Sequence, residues 1–235
     1  MSRCSKVTKS KKMPSITTIT LFNLTDASAA VWAFGQMQWG HQHFTKVNGL
    51  RFYKLMGSGA GNGFKWHPNW KRYALLAVWE DEKAANDFLA TNPFFQKYTA
   101  KCNQATTYYL RCFKSHGAWS GQQPFVEEPK MDELASIAVI TRATIKTKYL
   151  RQFWKEVPAV SDSIEQVAGR QLSVGIGEWP VFQQATFSIW DNAEAMSAYA
   201  YGSPLHRKVI QQTRTLGWYK EELFARFALY RVERA

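Results

Sequence analysis

Residues 73–98, YALLAVWEDEKAANDFLATNPFFQKY, and residues 184–209, QATFSIWDNAEAMSAYAYGSPLHRKV, lie over one another without a gap, at an offset of 111 (73 to 184). Trp79 meets Trp190, Ala84 meets Ala195, Pro93 meets Pro204 and Lys97 meets Lys208. Each segment reads as an apolar strand followed by a helix interrupted at a proline. Asn92-Pro93-Phe94-Phe95 falls on Ser203-Pro204-Leu205-His206.

The flanks extend the repeat. Residues 15–24 are rich in β-branched side chains and read as a strand. Ala27 to Trp39 carries Val31, Trp32, Phe34 and Met37 at helical spacing, with Asp26 or Ser28 as a cap. Strands are expected at 50–56, 73–79 and 106–114, and a helix from Glu82 to Cys102 broken near Pro93. After a loop, His116 to Pro129, the order repeats. It gives a strand at 136–147, a helix at 148–167 that Pro158 breaks or kinks, strands at 169–177 and 181–190, the helical region after Ala193, and a closing strand at 222–232. Each half is therefore βαββαβ, the ferredoxin-like unit. The expected fold is α+β, two fused ferredoxin-like repeats forming a dimeric α/β-barrel arrangement within one chain. The expected boundaries are a basic tail at 1–13, a first repeat at 14–115, a linker at 116–135 and a second repeat at 136–235.

The chain has 235 residues and a formal charge of +12. Arg3, Lys6, Lys9, Lys11 and Lys12 fall in the tail, and no acid occurs between Asp26 and Glu80. A basic face can meet anionic lipid, nucleic acid or cofactor carboxylates, or be an ordinary solvated surface. No nucleic-acid-binding motif accompanies the charge. The three cysteines, Cys4, Cys102 and Cys112, have neither metal-ligand spacing nor a disulfide pattern, which fits a reducing cytoplasm. No apolar run is long enough to span a bilayer. The 10 Trp, 10 Tyr and 15 Phe can line a lipophilic site or fill a bulky core.

The glycine run Gly57-Ser58-Gly59-Ala60-Gly61-Asn62-Gly63-Phe64 lacks the ending of a phosphate loop and leads toward a strand. It reads as a loop, or as a place where backbone approaches a flat ligand. His206 follows Ser203, a helix-capping residue, and Pro204, a first-turn residue. The positive end of the helix dipole disfavours imidazolium there, and a neutral imidazole is what haem iron or another metal requires. Its counterpart is Phe95, so the scaffold accepts an apolar side chain at that place. A buried histidine there needs either iron or an internal hydrogen bond as a partner. His41, His43 and His67 form a second, non-haem metal candidate, with His67 and His116 expected in loops. No nucleophile elbow is present.

Several segments resemble the spheroidene monooxygenase family, the acyclic carotenoid 2-ketolases of bacterial carotenoid synthesis. They are Trp32-Ala33-Phe34-Gly35-Gln36-Met37, then Phe52-Tyr53-Lys54-Leu55-Met56-Gly57-Ser58-Gly59, then Trp119-Ser120-Gly121-Gln122-Gln123-Pro124-Phe125, and His206 to Phe227. The resemblance runs from about residue 16 to the C-terminus. It implies a monooxygenase that uses haem b to oxidise a lipophilic polyene to a hydroxy or keto product. It implies His206 as the axial ligand. Arg207 and Lys208 adjoin it and can pair with haem carboxylates or form a solvated helix face, and Trp218 can be core or pocket wall; these are the further cofactor-binding candidates. Gly57, Ser58, Gly59, Phe64 and Trp119 are the substrate-binding candidates. Such chemistry lies beyond amino-acid side chains alone. It also needs oxygen and, since no iron–sulfur or flavin motif is present, an external donor such as a ferredoxin or reductase. The alternatives are another haem enzyme on the same barrel, of dehydratase or peroxidase type, or a non-enzymatic haem or lipophile carrier. A homo-oligomer and peripheral contact with the inner membrane face are further expectations.

Overall fold

The computed structural model describes residues 15–60, 65–129, 136–155, 167–179, 181–202, 211, 213 and 215–235. The strands are β1 (Ile16–Leu24), β2 (Leu50–Ala60), β3 (Lys65–Trp79), β4 (Cys102–Gly117), β5 (Ile137–Ile145), β6 (Arg170–Trp179), β7 (Gln183–Trp190) and β8 (Tyr219–Arg234). The described helices are α1 (Ala27–Trp39), α2 (Glu82–Thr91), α3 (Pro93–Thr99) and α4 (Ala193–Gly202), with a further helical stretch over 150–155.

All eight strands close one antiparallel barrel in the order β1-β3-β2-β6-β7-β5-β8-β4. The first four give the order 4-1-3-2 and the second four repeat it. The halves join where β2 meets β6 and β4 meets β8. Closure removes every sheet edge within one chain, so the barrel needs no second copy to satisfy its backbone. Several strands run past their expected ends because pairing with the other half continues the ladder.

The inner face of the sheet is covered all round, and the outer face is covered over the first half. The interior is apolar, filled by Ile19, Met56, Leu76, Leu110, Ile140, Val174, Phe187 and Phe227 among others. The linker does not stay on the surface. It inserts Trp119 and Phe125 into this core. Outside, α1, α2 and α3 cover the first half around Phe22, Leu55, Tyr73, Trp79, Phe88, Phe95 and Tyr98.

The repeat is visible down to single hydrogen bonds. Asp81 caps α2 by accepting from Ala84 N, and Asn192 accepts from Ala195 N at 2.8 Å. Gly49 (φ +72) and Gly169 (φ +77) sit at matching turns, where a Cβ would stand 2.5 Å from Ala84 Cβ and 2.6 Å from Ala195 Cβ. The carbonyls of these two glycines accept from Glu80 N at 2.7 Å and Asp191 N at 2.8 Å.

Some local expectations change. Gly57 to Ala60 lie in β2 rather than in a loop, because β3 pairs with them through Asn69, Pro68 and Lys65. His67 and His116 likewise lie in strands, and His116 stacks on Phe224 at 5.3 Å. On α1 the buried side chains are Ala29, Ala30 and Ala33, since small residues let the helix approach the sheet closely, while Val31 and Phe34 point to solvent. The basic tail, Pro158 and the Ser203-Pro204 helix start lie outside the described residues. No described helix is long and apolar enough to cross a membrane.

Candidate functional site

The helix-facing side of the sheet differs between the halves, and register shows how. In the first half, three rows run across β2, β3, β1 and β4. They are Tyr53–Ala77–Thr18–Tyr109, then Leu55–Leu75–Thr20–Thr107, then Gly57–Tyr73–Phe22–Ala105. The same rows in the second half are Ser173–Ser188–Val139–Arg226 and Gly175–Thr186–Thr141–Phe224 across β6, β7, β5 and β8, and Gln184–Ala143–Glu222 across β7, β5 and β8, where the β6 register shifts. Tyr53 becomes Ser173, Leu55 becomes Gly175, Leu75 becomes Thr186 and Phe22 becomes Ala143. Four bulky groups of the first half are thus small or hydroxylated in the second, while Thr107 and Tyr109 give way to Phe224 and Arg226.

The packing follows. In the first half Phe22 meets Phe95 at 5.7 Å and Tyr98 at 4.4 Å between ring centroids, and Thr20 is bonded to Thr107 at 2.8 Å in the interior of that layer. In the second half Thr141, the counterpart of Thr20, is exposed. Ser188 accepts from Trp190 Nε1 at 3.0 Å. The Ser173 hydroxyl, Arg226 Nε and Trp218 Nε1 are buried with no hydrogen-bond partner among the described residues. Buried polar atoms without partners are uncommon, and the Ser173 and Arg226 atoms on this face, with Trp218 Nε1 beside it, suit a ligand with polar groups. Trp218 packs with Ile145 and Phe153 at the margin of this face.

One end of the barrel interior holds a different cluster. Lys54 Nζ lies 2.6 Å from Glu178 Oε1 and donates to Ser120 Oγ at 2.8 Å. Trp119 Nε1 donates to Glu178 Oε2 at 2.7 Å, and the Arg142 guanidinium lies 5.7 Å from the Trp119 ring centre. Arg142 pairs with Glu221 and lies 3.8 Å from Glu178. Glu221 also accepts from Gly121 N at 2.7 Å and Ser120 N at 3.1 Å. Burial alone would raise the Glu221 carboxyl, but these N–H donors and Arg142 outweigh it and hold the group below its usual range. Two cations and two anions thus tie the linker to β2, β5, β6 and β8.

The candidates from the sequence are distributed unevenly. His206, Arg207, Lys208 and Phe64 lie outside the described residues. Trp218 borders the hollowed face. Trp119 lies on the opposite side of the sheet, in the barrel interior. Gly57 faces the helix side of β2, and Ser58 donates to Gly175 O at 2.9 Å. Gly59 pairs with Pro68. Among the described residues no three His, Cys, Asp or Glu side chains gather as a metal site. His41 is bonded to Tyr53 Oη at 3.0 Å and Met37 O at 3.1 Å, and His43 stacks on Phe94. Sequence reasoning missed Ser173, Gly175, Ala143, Thr186 and Arg226. The overlay of 73–98 on 184–209 contained the Leu75-to-Thr186 exchange, but which side of the strand faced the helices was not fixed.

No family model matches the chain. It is 35% identical over 222 residues to the spheroidene monooxygenase of Rhodobacter capsulatus, covering 93% of this chain and 91% of that one. With the spheroidene monooxygenase of Cereibacter sphaeroides the identity is 35% over 213 residues, covering 90% and 66%. With that of Rubrivivax gelatinosus it is 33% over 206 residues, covering 88% and 79%. Among solved structures, an aldoxime dehydratase superposes with a TM-score of 0.65 at 11% identity, covering 94% of this chain and 83% of that one. The aldoxime dehydratase OxdRE in complex with butyraldoxime gives 0.62 at 10%, covering 94% and 81%. These two share the dimeric α/β barrel expected from the repeat. Identity above one third along nearly the whole length of the Rhodobacter capsulatus protein settles the assignment: this chain belongs to the spheroidene monooxygenase family of oxidoreductases.

Proposed function

We propose that the hollowed, helix-facing side of the second-half sheet binds haem b together with a lipophilic polyene, and that the protein oxidises this carotenoid-like substrate to a hydroxy or keto product. The observation that carries the reading is the exchange of Tyr53, Leu55 and Phe22 for Ser173, Gly175 and Ala143 at matching places in the two halves. A flat macrocycle needs a broad face cleared of bulky side chains, which these residues supply. It also carries carboxylates, and Arg226 brings a cation to the edge of that face with an unpartnered Nε.

His206 is proposed as the axial ligand. Its sequence counterpart, Phe95, is buried against Phe22 in the first half, and Phe22 corresponds to Ala143. Arg207 and Lys208 are proposed to pair with the carboxylates, with Trp218 as part of the wall. Histidine-held haem supplies oxygen activation, which no side chain can. The chain's own residues hold and orient. Gly175, Ala143 and Thr186 leave room against the sheet, and Ile145, Phe153 and Trp218 exclude water from one margin. The hydroxyls of Ser173, Thr141, Thr186 and Ser188 offer hydrogen bonds on this face, beside the apolar Val139, Ala143 and Phe224. Electrons come from a separate ferredoxin or reductase. Two successive hydroxylations at one carbon give a geminal diol, which loses water to form a ketone.

The test is the absorption spectrum of protein expressed with haem supply, before and after dithionite. A Soret band that shifts on reduction, at about one haem per chain and lost in His206→Ala with the fold retained, supports the reading. Incubation with labelled oxygen, a reductant and a carotenoid should place label in the product. A haem spectrum without labelled product would favour a dehydratase- or peroxidase-type enzyme or a carrier. No Soret band after reconstitution with hemin sinks the haem reading.

A further inference from the structure

We propose that the β6–β7 turn is a docking tip for an anionic lipid bilayer, placed where it opens the hollowed face to substrate dissolved in the membrane. The sequence across this turn is Trp179-Pro180-Val181-Phe182. Turns between paired strands are ordinarily built from glycine, asparagine and aspartate. The corresponding connection of the first half, between β2 and β3, has the sequence Gly61-Asn62-Gly63-Phe64. The second half carries an apolar tip instead, with Trp179 66% and Phe182 40% exposed.

The tip is held in this posture. Val181 adopts φ +81, which a β-branched residue takes only under constraint from its surroundings. Trp154 Nε1 donates to Val181 O at 3.3 Å, and Ile145 N donates to Phe182 O at 2.9 Å. These bonds anchor the turn while its aromatic rings stay in solvent. A tryptophan held at a surface with its ring outward suits the boundary between headgroups and acyl chains.

Charge selects the bilayer. Trp179 and Phe182 line a groove of about 530 Å³ with Thr144, Lys146, Gln183 and Lys220. That lining carries two lysines and no carboxylate. Lys148 stands close by in sequence, its ammonium 4.9 Å from the Tyr149 ring centre. Aromatic side chains beside lysines on a chain of charge +12 complement an anionic membrane surface. Position gives the surface its purpose. Ile145 lines the groove and also packs with Trp218 at the margin of the hollowed face, so the groove leads from the tip toward the proposed site. The purpose rests on the polyene reading; the docking itself does not.

Sedimentation of the full chain with vesicles of phosphatidylglycerol and phosphatidylcholine, against pure phosphatidylcholine, tests this. The wild type should partition to the anionic vesicles and be released by salt. Trp179→Ser with Phe182→Ser should lower partitioning about tenfold, and Trp179→Phe should restore most of it. Lys146→Gln and Lys220→Gln should each cost roughly fivefold. Circular dichroism checks that the variants fold. Partitioning unchanged in the Trp179/Phe182 variant overturns the proposal. So does its loss in Val31→Ser with Phe34→Ser instead, which would move docking to the exposed side of α1. Because vesicle binding is read without turnover, tip-dependent binding by a protein inactive on polyenes would leave the docking surface standing and remove the oxygenase reading. An active protein that ignores the tip would do the reverse.

Discussion

Gly175 stands where the first half has Leu55, and Ala143 where it has Phe22. Restoring the bulk tests whether the cleared face is the site. Gly175→Leu and Ala143→Phe should fold, since the first half shows that this sheet accepts both side chains, yet turnover and haem content should fall at least about tenfold if the added bulk occupies the proposed haem face. Equal haem content in both variants would move the site elsewhere. Glu221 gives a pH prediction. Its native carboxyl is held below the ordinary 4.5 by the Gly121 and Ser120 amides and by Arg142, against the opposing effect of burial. A lowered native value means that this contribution is present above the unfolded value and is lost as pH falls from about 4.5 through the depressed native value. Urea midpoints measured from pH 6 to pH 3 should therefore drop less steeply in Glu221→Gln than in the wild type. Burial acts on the two described thiols as well, pushing Cys112 up to about 12 and Cys102 up to about 11. Neither should label with a thiol reagent at neutral pH until the protein unfolds.

At the level of elements, the turns from β3 into α2 and from β7 into α4 are each held by a cap and by a glycine that stands just before the neighbouring strand, β2 or β6. Gly49 and Gly169 combine positive φ with a Cβ position already occupied by an alanine of α2 or α4. Gly49→Ala and Gly169→Ala should each destabilise by about 1–3 kcal/mol in urea titrations, and by similar amounts, because the two turns are copies. Asp81→Ala and Asn192→Ala remove the caps and should cost about 1 kcal/mol each. A large difference between the paired glycine variants would show that the halves differ in rigidity as well as in filling.

For the whole molecule, closure of the barrel is the decisive feature. β4 pairs with β8 from Thr106 to Gly117, and β2 pairs with β6 through Gly57 and Ser58. Separating the halves would open two edges and expose the shared interior. The isolated segment 14–115 should therefore fail to behave as a monomer, associating or remaining unfolded in size-exclusion and circular dichroism measurements. The Arg142 cluster locks the same joint from inside. Removing that side chain leaves Glu221 and Glu178 short of a buried counter-charge, so Arg142→Ala should cost about 3–5 kcal/mol.

The sequence alone determined the repeat, the element order and the family resemblance. Apolar alternation, proline breaks and the Trp79/Trp190 and Ala84/Ala195 matches are local or in-register signals that need no coordinates. It also marked Trp218, which lies beside the hollowed face. Pairing register was beyond its reach, because a shift of one residue turns every side chain to the other face of a strand. Only the closed barrel decided that Ser173, Gly175, Ala143 and Thr186 share one surface, that Trp119 and Phe125 plug the interior, and that glycines 57 and 59 belong to a strand. Those facts come from long-range pairing between β2 and β6, β5 and β7, and β4 and β8, whose partners lie far apart in sequence and meet only when the sheet closes.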